Sequence, residues 1–241
     1  MQSESFGARY DEVITSPRMQ ELYGDSGYFN VGYWSAGVTD LVAACDRMVD
    51  EVASAIAPDS RAVLDVGCGL GAGTHRLARR LPCATVIGAN VSLWQLRTTR
   101  RRGLPAVATD AARLGIASGF ADAVVALESA LHFDTRDAFF AEAFRVLRPG
   151  GVLTVADMLF RDADVIGPWM VPPANRIGGL AEYEERVRAA GFTEIASRDV
   201  TAVTWKPFCA AMRRVYGGHE PALRAIADSV SQYVLVSARR L

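Results

Sequence analysis

The stretch AVLDVGCGLGAGT, residues 62–74, constrains the fold more than any other part of the chain. An apolar run is followed by Asp65 and then by glycines at alternate positions, a pattern typical of a strand, a tight turn and the start of a helix. Such a turn lets backbone N–H groups approach a ligand closely. The spacing fits both G-x-G-x-x-A and G-x-G-x-G. The turn therefore predicts a nucleotide-like ligand, with NAD, FAD or a purely structural turn as alternatives.

Strand and helix patterns alternate along the chain and predict an α/β fold. The predicted strands are 62–67, 85–90, 106–111, 121–127, 151–160, 192–200 and 233–240. The predicted helices are 39–57 (capped by Thr39 and ended by Pro58), a segment from the glycine turn through Leu81, 92–102, 136–147, 181–192 and about 207–227. The fifth strand is continuously apolar, which indicates a central position in the sheet.

Composition excludes several classes of function. The 241 residues, 50% of them hydrophobic, suffice for one sizeable core or for a core with a small cap. A net charge of −1 gives no overall field that would attract nucleic acid or an anionic membrane. The arginines at 97, 100, 101 and 102 are better explained as a solvated helix end than as a nucleic-acid patch, because no aromatic residues interleave with them.

The four cysteines form no C-x-x-C pair and have no histidines at zinc spacing. We therefore expect free thiols in a reducing compartment and no metal site. Residues 1–30 lack the pattern of a secretory signal, and no apolar run approaches the roughly 20 residues that span a bilayer. The expectation is a soluble, cytoplasmic protein without a membrane partner.

Polar residues follow the second and third predicted strands. The second ends in Asn90, where NAD enzymes carry a carboxylate that binds ribose. The Asn90 amide can bond ribose hydroxyls, or the residue simply occupies a strand–helix junction. Asp110, at the end of the third predicted strand, can accept a hydrogen bond from an adenine amine, or it is a turn residue. Trp94 either packs against an adenine face or belongs to the core or its rim.

The fourth predicted strand runs into LESALHFDTRDAF, residues 127–139. Glu128, Ser129 and His132 follow its carboxyl end, which is where ligands bind in open α/β sheets. His132 is therefore expected near the site.

Taken in order, these motifs resemble those of class I S-adenosylmethionine-dependent methyltransferases over residues 60–160. VLDVGCGLG resembles the family's glycine motif, GANVS its second-strand acidic position, TDA its adenine motif, ALESALHF its fourth-strand motif and VLRPGGVLTVADM its fifth-strand segment. NVGYW (30–34) and the segment 182–205 resemble the subgroup that acts on natural products, sugars, sterols and tocopherols. Asn90 is the departure, because many members carry Asp or Glu there.

The resemblance implies a Rossmann-like fold: a seven-stranded, mostly parallel sheet with helices on both faces and an antiparallel last strand. It implies one methyltransferase domain over 1–241, as a monomer or homodimer. Its parts would be an N-terminal helical cap (1–57), a cofactor-binding core (58–160), a substrate lid (161–180) and the C-terminal part of the sheet (181–241).

The implied cofactor is S-adenosylmethionine, and the implied contacts come from three parts of the chain. They are Tyr28, Tyr33 and Trp34; Asp65, Gly67, Cys68 and Gly69; and Asn90, Val91, Gln95, Asp110, Ala111 and Glu128. The glycines, with Gly71, would hold the amino-acid portion and ribose, Asn90 the ribose hydroxyls, and Asp110 with Ala111 the adenine. Tyr28, Tyr33 or Trp34 would close over the sulfonium, which aromatic faces favour. Glu128 would touch the cofactor or hold the N-terminal segment.

The implied reaction is in-line methyl transfer to an oxygen, nitrogen or carbon of a small molecule. His132 is the first candidate for a general base, with a place in the pocket wall or plain packing as alternatives. Asp157, at the end of the fifth strand, is the second candidate. His75 is expected to be structural or near the cofactor, and His219 to lie in a surface loop.

The segment 161–180 is long for a loop and is expected to act as a lid. Trp169, Met170 and Pro172, with Pro173, would contact the substrate, opposite the N-terminal segment. An apolar, aromatic-lined space of this kind suits a lipophilic small molecule.

Two other interpretations stay open. An NAD(P)-dependent oxidoreductase would need the absent second-strand carboxylate and a Tyr-x-x-x-Lys pair, whereas Lys206 is the only lysine and Ala202 stands where the tyrosine would be. A methyltransferase fold acting as a cyclase, or as a noncatalytic partner, fits the same cofactor motifs.

Overall fold

The computed structural model describes residues 2–217 and 221–241, so His219 lies outside the described residues. The helices are α1 Gln2–Ile14, α2 Pro17–Tyr23, α3 Leu41–Ala53, α4 Ala72–Arg80, α5 Leu93–Arg101, α6 Arg136–Val146, α7 Leu180–Ala189, α8 Trp205–Tyr216 and α9 Pro221–Ser229. The strands are β1 Ala62–Val66, β2 Thr85–Asn90, β3 Ala106–Ala108, β4 Ala121–Leu127, β5 Leu147–Phe160, β6 Thr193–Asp199 and β7 Val230–Arg239.

In the described part of the chain these strands form one sheet in the order β3-β2-β1-β4-β5-β7-β6. The pairings from β3 through β5 are parallel, and β7 runs antiparallel to both β5 and β6. This confirms the predicted sheet with its antiparallel last strand. The direction of strand order reverses between β1 and β4, which opens a crevice at their carboxyl ends.

Helices cover both faces of the sheet because the central strands are apolar on both sides. Val63 of β1 belongs to the apolar cluster that also contains Met48 of α3 and Leu77 of α4. The next residue, Leu64, faces the opposite cluster, which contains Phe139 of α6 and Tyr183 of α7. Within residues 2–217 and 221–241, no helix is both long and apolar enough to cross a lipid bilayer.

Several predicted boundaries were wrong. Asp40, not Thr39, caps α3, because its carboxylate accepts the N–H of Ala43 at 2.8 Å. That helix ends at Ala53, before Pro58. The predicted 207–227 helix is interrupted after Tyr216, where Gly217 has a φ of +75°.

Candidate active site

A cavity of about 760 Å³ opens at the carboxyl ends of β1, β2 and β4. Its volume lies within the usual range of ligand sites, about 300–1,000 Å³. Most of the residues predicted from the sequence line it: Tyr28, Asp65, Gly67, Cys68, Gly69, Asn90, Val91, Gln95, Asp110, Ala111, Glu128, His132, Trp169 and Pro172. The fold therefore brings the cofactor motifs and the lid to one place.

The glycine turn has the backbone that its sequence predicts. Gly67, Gly69 and Gly71 have φ values of +80°, +56° and +81°, in the left-handed region that favours glycine. A Cβ at Gly67 would lie 2.3 Å from Cβ of Ser129. Gly71 is the N-cap of α4 and has no side chain to satisfy the first N–H groups of that helix. These groups are the donors that an anionic ligand takes at a helix N-terminus.

Asp65 and Cys68 are the buried polar and thiol groups of this turn. The Asp65 carboxylate accepts the Thr74 hydroxyl at 2.6 Å and thereby ties β1 to α4. Burial raises the pKa of Asp65 to about 6, against the lowering effect of that hydrogen bond. Burial likewise raises the pKa of the Cys68 thiol to about 12. Cys68 is thus a protonated packing group and not a nucleophile.

Asn90 ends β2 with both of its amide atoms partly engaged. Its Oδ1 accepts the N–H of Ser92 at 3.0 Å, and its Nδ2 donates to Oε1 of Gln95 at 2.9 Å. Because an amide carries two hydrogens and two lone pairs, these two bonds leave a second hydrogen on Nδ2 and a second lone pair on Oδ1, and a hydrogen bond from this side chain also lowers the pKa of the Cys68 thiol. A pair of ribose hydroxyls would match this second hydrogen and this second lone pair.

Asp110 follows β3 and accepts the N–H of Ala112 at 2.9 Å, which leaves its second oxygen for a ligand amine. Ala111 beside it is buried. Trp94 is 40% exposed and lies outside the cavity lining, which favours the alternative in which it packs at the rim of the core.

Glu128 has a φ of +51° and sits between the N-terminal segment and the last strand. Its Oε1 accepts the N–H of Val31 at 2.8 Å and the hydroxyl of Tyr233 at 2.7 Å. Of the two alternatives, the structure thus favours an anchor for the N-terminal segment, at the edge of the cavity. Burial raises the pKa of Glu128 to about 8.

His132 lies in a short 3-10 turn, Ala130–His132, after β4. Its Nδ1 lies 2.7 Å from the carbonyl oxygen of Met170 in the lid. Since a carbonyl only accepts, Nδ1 carries the proton and Nε2 keeps its lone pair. Burial lowers the pKa of His132 to about 4, so the ring is neutral at physiological pH.

Helix α1 forms the wall opposite the lid that was expected from the N-terminal segment, through side chains that were not predicted. Phe6 and Tyr10 line the cavity, and their ring centroids lie 5.4 and 5.1 Å from the His132 ring. Phe6 also lies 6.1 Å from Trp169, and the Arg9 guanidinium stacks 4.3 Å from that indole. The helical i, i+4 spacing of Phe6, Tyr10 and Ile14 was the signal available in the sequence.

Tyr33, Trp34 and Met170 were expected in the site but lie outside the cavity lining. Tyr33 faces away, 5.9 Å beneath the guanidinium of Arg198. The Trp34 indole donates to the carbonyl of Val31 at 2.9 Å. The Met170 side chain packs into the small apolar cluster of the lid, and only its carbonyl reaches His132. In this structure all three side chains pack against other parts of the protein.

Asp157 is also unsuited to the predicted role of base. It is fully buried and accepts hydrogen bonds from Arg136 Nε at 2.8 Å and from the Tyr183 hydroxyl at 3.0 Å. Arg136 donates further to the carbonyls of Met158 and Asn175. Asp157 thus anchors the start of α6 and the end of the lid to β5. His75 is exposed on α4, outside the cavity lining.

Known proteins resemble the chain in sequence. Residues 64–155 match the family model described as a methyltransferase domain. Erythromycin 3''-O-methyltransferase from Saccharopolyspora erythraea is 30% identical over 214 residues, covering 78% of this chain and 69% of that protein. Methyltransferase GfsG from Streptomyces halstedii is 32% identical over 220 residues, covering 84% and 77%. The chain belongs to the S-adenosylmethionine-dependent methyltransferases.

A solved structure shares the methyltransferase's fold over almost its whole length. The [4+2]-cyclase SpnF superimposes with a TM-score of 0.78 at 29% identity, covering 99% of this chain and 96% of that one. That cyclase shows that a chain this similar can carry a different reaction.

The residues of the methyltransferase fit S-adenosylmethionine. A Cβ at Gly69 would meet only the Gln95 side chain, at 4.0 Å, so the turn leaves a cradle open toward the cavity. Asn90 offers a donor and an acceptor to ribose hydroxyls, and Asp110 offers an acceptor to the adenine amine. The aromatic Tyr28 borders the same space and suits a sulfonium cation.

Proposed function

We propose that this methyltransferase transfers a methyl group to a hydroxyl oxygen of a small, lipophilic natural product. The observation that carries the proposal is the neutral His132 ring, which lines the cavity between the glycine turn and the lid. Erythromycin 3''-O-methyltransferase, a relative, is named for an oxygen acceptor. The aromatic wall of Phe6, Tyr10 and Trp169 suits an apolar substrate.

S-adenosylmethionine supplies an electrophilic methyl group when it is bound. We propose that Gly67, Gly69 and Gly71 hold its amino-acid portion, with Asp65, Cys68 and Glu128 in the wall behind. Asn90, with Val91 and Gln95, would hold the ribose, and Asp110 with Ala111 the adenine. Tyr28 would border the sulfonium.

His132 would then take the proton of the acceptor hydroxyl on Nε2. An oxygen that has gained a methyl group while keeping its proton is far more acidic than an imidazolium. A base whose pKa burial lowers to about 4 can therefore still accept that proton as the bond forms. Trp169 and Pro172 would hold the substrate in line, and the bound substrate would displace water from the cavity.

A second candidate function is a cyclisation without methyl transfer, favoured by the 29% identity to the [4+2]-cyclase SpnF. One assay separates the two. The purified protein is incubated with methyl-labelled S-adenosylmethionine and a panel of hydroxylated natural products from its genomic neighbourhood, and products are resolved by mass. Label in an ether supports the proposal. An isomerised product of unchanged mass overturns it in favour of the cyclase.

We further propose that residues 1–241 act as one domain, with the cap, core, lid and C-terminal parts expected from the sequence. We propose a cytoplasmic site of action and a monomer or homodimer. The four thiols are free, in keeping with a reducing compartment. Size-exclusion chromatography with light scattering would measure the oligomeric state.

A further inference from the structure

We infer that Asp11 is a positioning residue, which sets the direction of a side-chain amide relay ending at Asn90. The relay runs from α1 across the edge of the cavity: Asp11, then Gln95, then Asn90. The inference rests on the proposed role of Asn90 in holding the cofactor's ribose.

Helix α1 docks directly on the loop that follows β2. A Cβ at Gly7 would lie 3.6 Å from the Val91 side chain and 3.7 Å from Ser92, so the helix backbone runs at contact distance. Asp11 lies one turn further on the same face. Its carboxylate accepts the Ser92 hydroxyl at 2.8–2.9 Å and Nε2 of Gln95 at 2.6 Å.

The carboxylate fixes which way each amide points. Because a carboxylate only accepts, Gln95 must turn its NH₂ group toward Asp11 and its oxygen toward Asn90. Asn90 must then donate Nδ2 to Gln95, at 2.9 Å, and keep Oδ1 for the N–H of Ser92, at 3.0 Å. Gln95 is only 2% exposed, so a mismatched amide there is not rescued by bulk water.

The relay also accounts for the departure from the family pattern at position 90. A carboxylate at this position would face the oxygen of Gln95 as the relay now runs. Asn90 is the residue compatible with an acceptor-only group at position 11. The negative charge that many family members carry at the end of β2 stands here on α1, two hydrogen bonds away.

This logic predicts a reversal that can be tested. Asp11→Asn together with Asn90→Asp would run the relay in the opposite direction. The amide introduced at position 11 would donate to Oε1 of Gln95, and Nε2 of Gln95 would donate to the carboxylate introduced at position 90. N90D alone leaves one mismatched contact, because Gln95 would then face an acceptor-only carboxylate on each side. D11N alone leaves none, because the amide introduced at position 11 can present its oxygen to Gln95 and its nitrogen to the Ser92 hydroxyl, and the double substitution leaves none either.

The experiment measures the dissociation constant of S-adenosylhomocysteine by calorimetry for the wild type, D11N, N90D and the double variant. Glu12→Gln is the matched control, since it removes one negative charge from an exposed position of the same helix. We expect roughly tenfold weaker binding for N90D, near-wild-type binding for D11N and for the double variant, and no change for the control.

Melting temperatures of the ligand-free variants separate positioning from loss of α1 docking. Binding in the double variant that is no tighter than in N90D overturns the inference, and so does N90D binding as tightly as the wild type. A third outcome separates the relay from the proposed function. If the double variant binds S-adenosylhomocysteine as the wild type does, but the protein methylates no acceptor, the proposed function is refuted and the relay is not.

Discussion

At the scale of single residues, His132 is distinguished by a tautomer that the lid itself imposes. The Met170 carbonyl holds the proton on Nδ1, so Nε2 is the atom available to a substrate. Asn in place of His132 can donate the same hydrogen bond from Nδ2 but has no group equivalent to Nε2. We expect H132N to lower kcat by about 100-fold while the S-adenosylhomocysteine dissociation constant stays within about twofold.

The pH profile of kcat/KM gives a second measurement on His132. Since burial lowers the pKa of His132 from 6.5 to about 4, we expect the imidazole to contribute no acid limb near pH 6.5. A limb near 6.5 that disappears in H132N would contradict the buried, neutral ring. The buried His132 also affects folding stability. Because the unfolded chain binds this proton more readily, the stability that the neutral ring contributes is present above pH 6.5 and is lost as pH falls toward 4.

For Glu128 we expect the opposite dependence of folding stability on pH. Burial raises its pKa from 4.5 to about 8, so the folded protein holds this proton more tightly than the unfolded chain does. Relative to a neutral side chain, the wild type therefore loses stability as pH rises from about 4.5 through 8, by on the order of 4–5 kcal/mol.

Gln at position 128 keeps an oxygen for the Val31 N–H and the Tyr233 hydroxyl but does not ionise. We expect E128Q and the wild type to have similar unfolding free energies near pH 4.5. E128Q should be the more stable protein at pH 8, as measured by denaturant titration at each pH. A constant difference between the two proteins across this range would contradict the prediction.

At the scale of elements, a comparison of Gly67 in the glycine turn with Gly103 distinguishes the cost of backbone strain from the effect of a steric clash. Gly67 and Gly103 have φ values of +80° and +79°. A Cβ at Gly67 would meet Ser129 at 2.3 Å, whereas one at Gly103 would find nothing within 4 Å among the described residues. Gly103→Ala should cost about 1–2 kcal/mol, and Gly67→Ala should cost about 1–3 kcal/mol more.

Binding should differ between the two variants as well. We expect G67A to lose S-adenosylhomocysteine binding in calorimetry, since the clash moves the turn that forms the cradle. G103A should bind like the wild type. Equal binding by both variants would show that the turn does not hold the ligand.

The lid is the other element with a clear test. Trp169 lines the cavity, whereas Val165 of the same lid is 40% exposed and lies outside its lining. We expect W169A to raise KM for the acceptor by about tenfold through lost aromatic contact and to leave cofactor affinity unchanged. V165A serves as the control. Weaker cofactor binding in W169A would contradict the prediction, because it would show that Trp169 contacts the cofactor instead of the acceptor.

At the scale of the whole molecule, the parts of the site that could be predicted are those fixed by local backbone geometry. The glycines of the turn, Asn90 and Asp110 each follow a strand of a parallel sheet, and the carboxyl ends of such strands meet at one edge. Their position therefore follows from strand order alone. The apolar β5 was recognised as central for the same local reason.

The errors concern side chains whose direction depends on distant partners. Asp157 points into the core because Arg136 and Tyr183 meet it there. Tyr33 turns outward to Arg198, more than 160 residues along the chain. Phe6 and Tyr10 were missed because nothing local shows that α1 docks over the cavity. Such contacts are set by tertiary packing: the i, i+4 spacing of Phe6 and Tyr10 indicates an apolar helix face but not what that face covers.

The place of β7 in the sheet has a consequence for the order of folding. β6 pairs only with β7 in the described sheet, although β7 follows it by two helices. β6 therefore has no strand to pair with until β7, which follows it after α8 and α9, has inserted beside β5. Closing so long a connection makes this a slow step. In pulse-labelling hydrogen exchange, the amides of β6 should gain protection together with those of β7 and after those of β1 and β4.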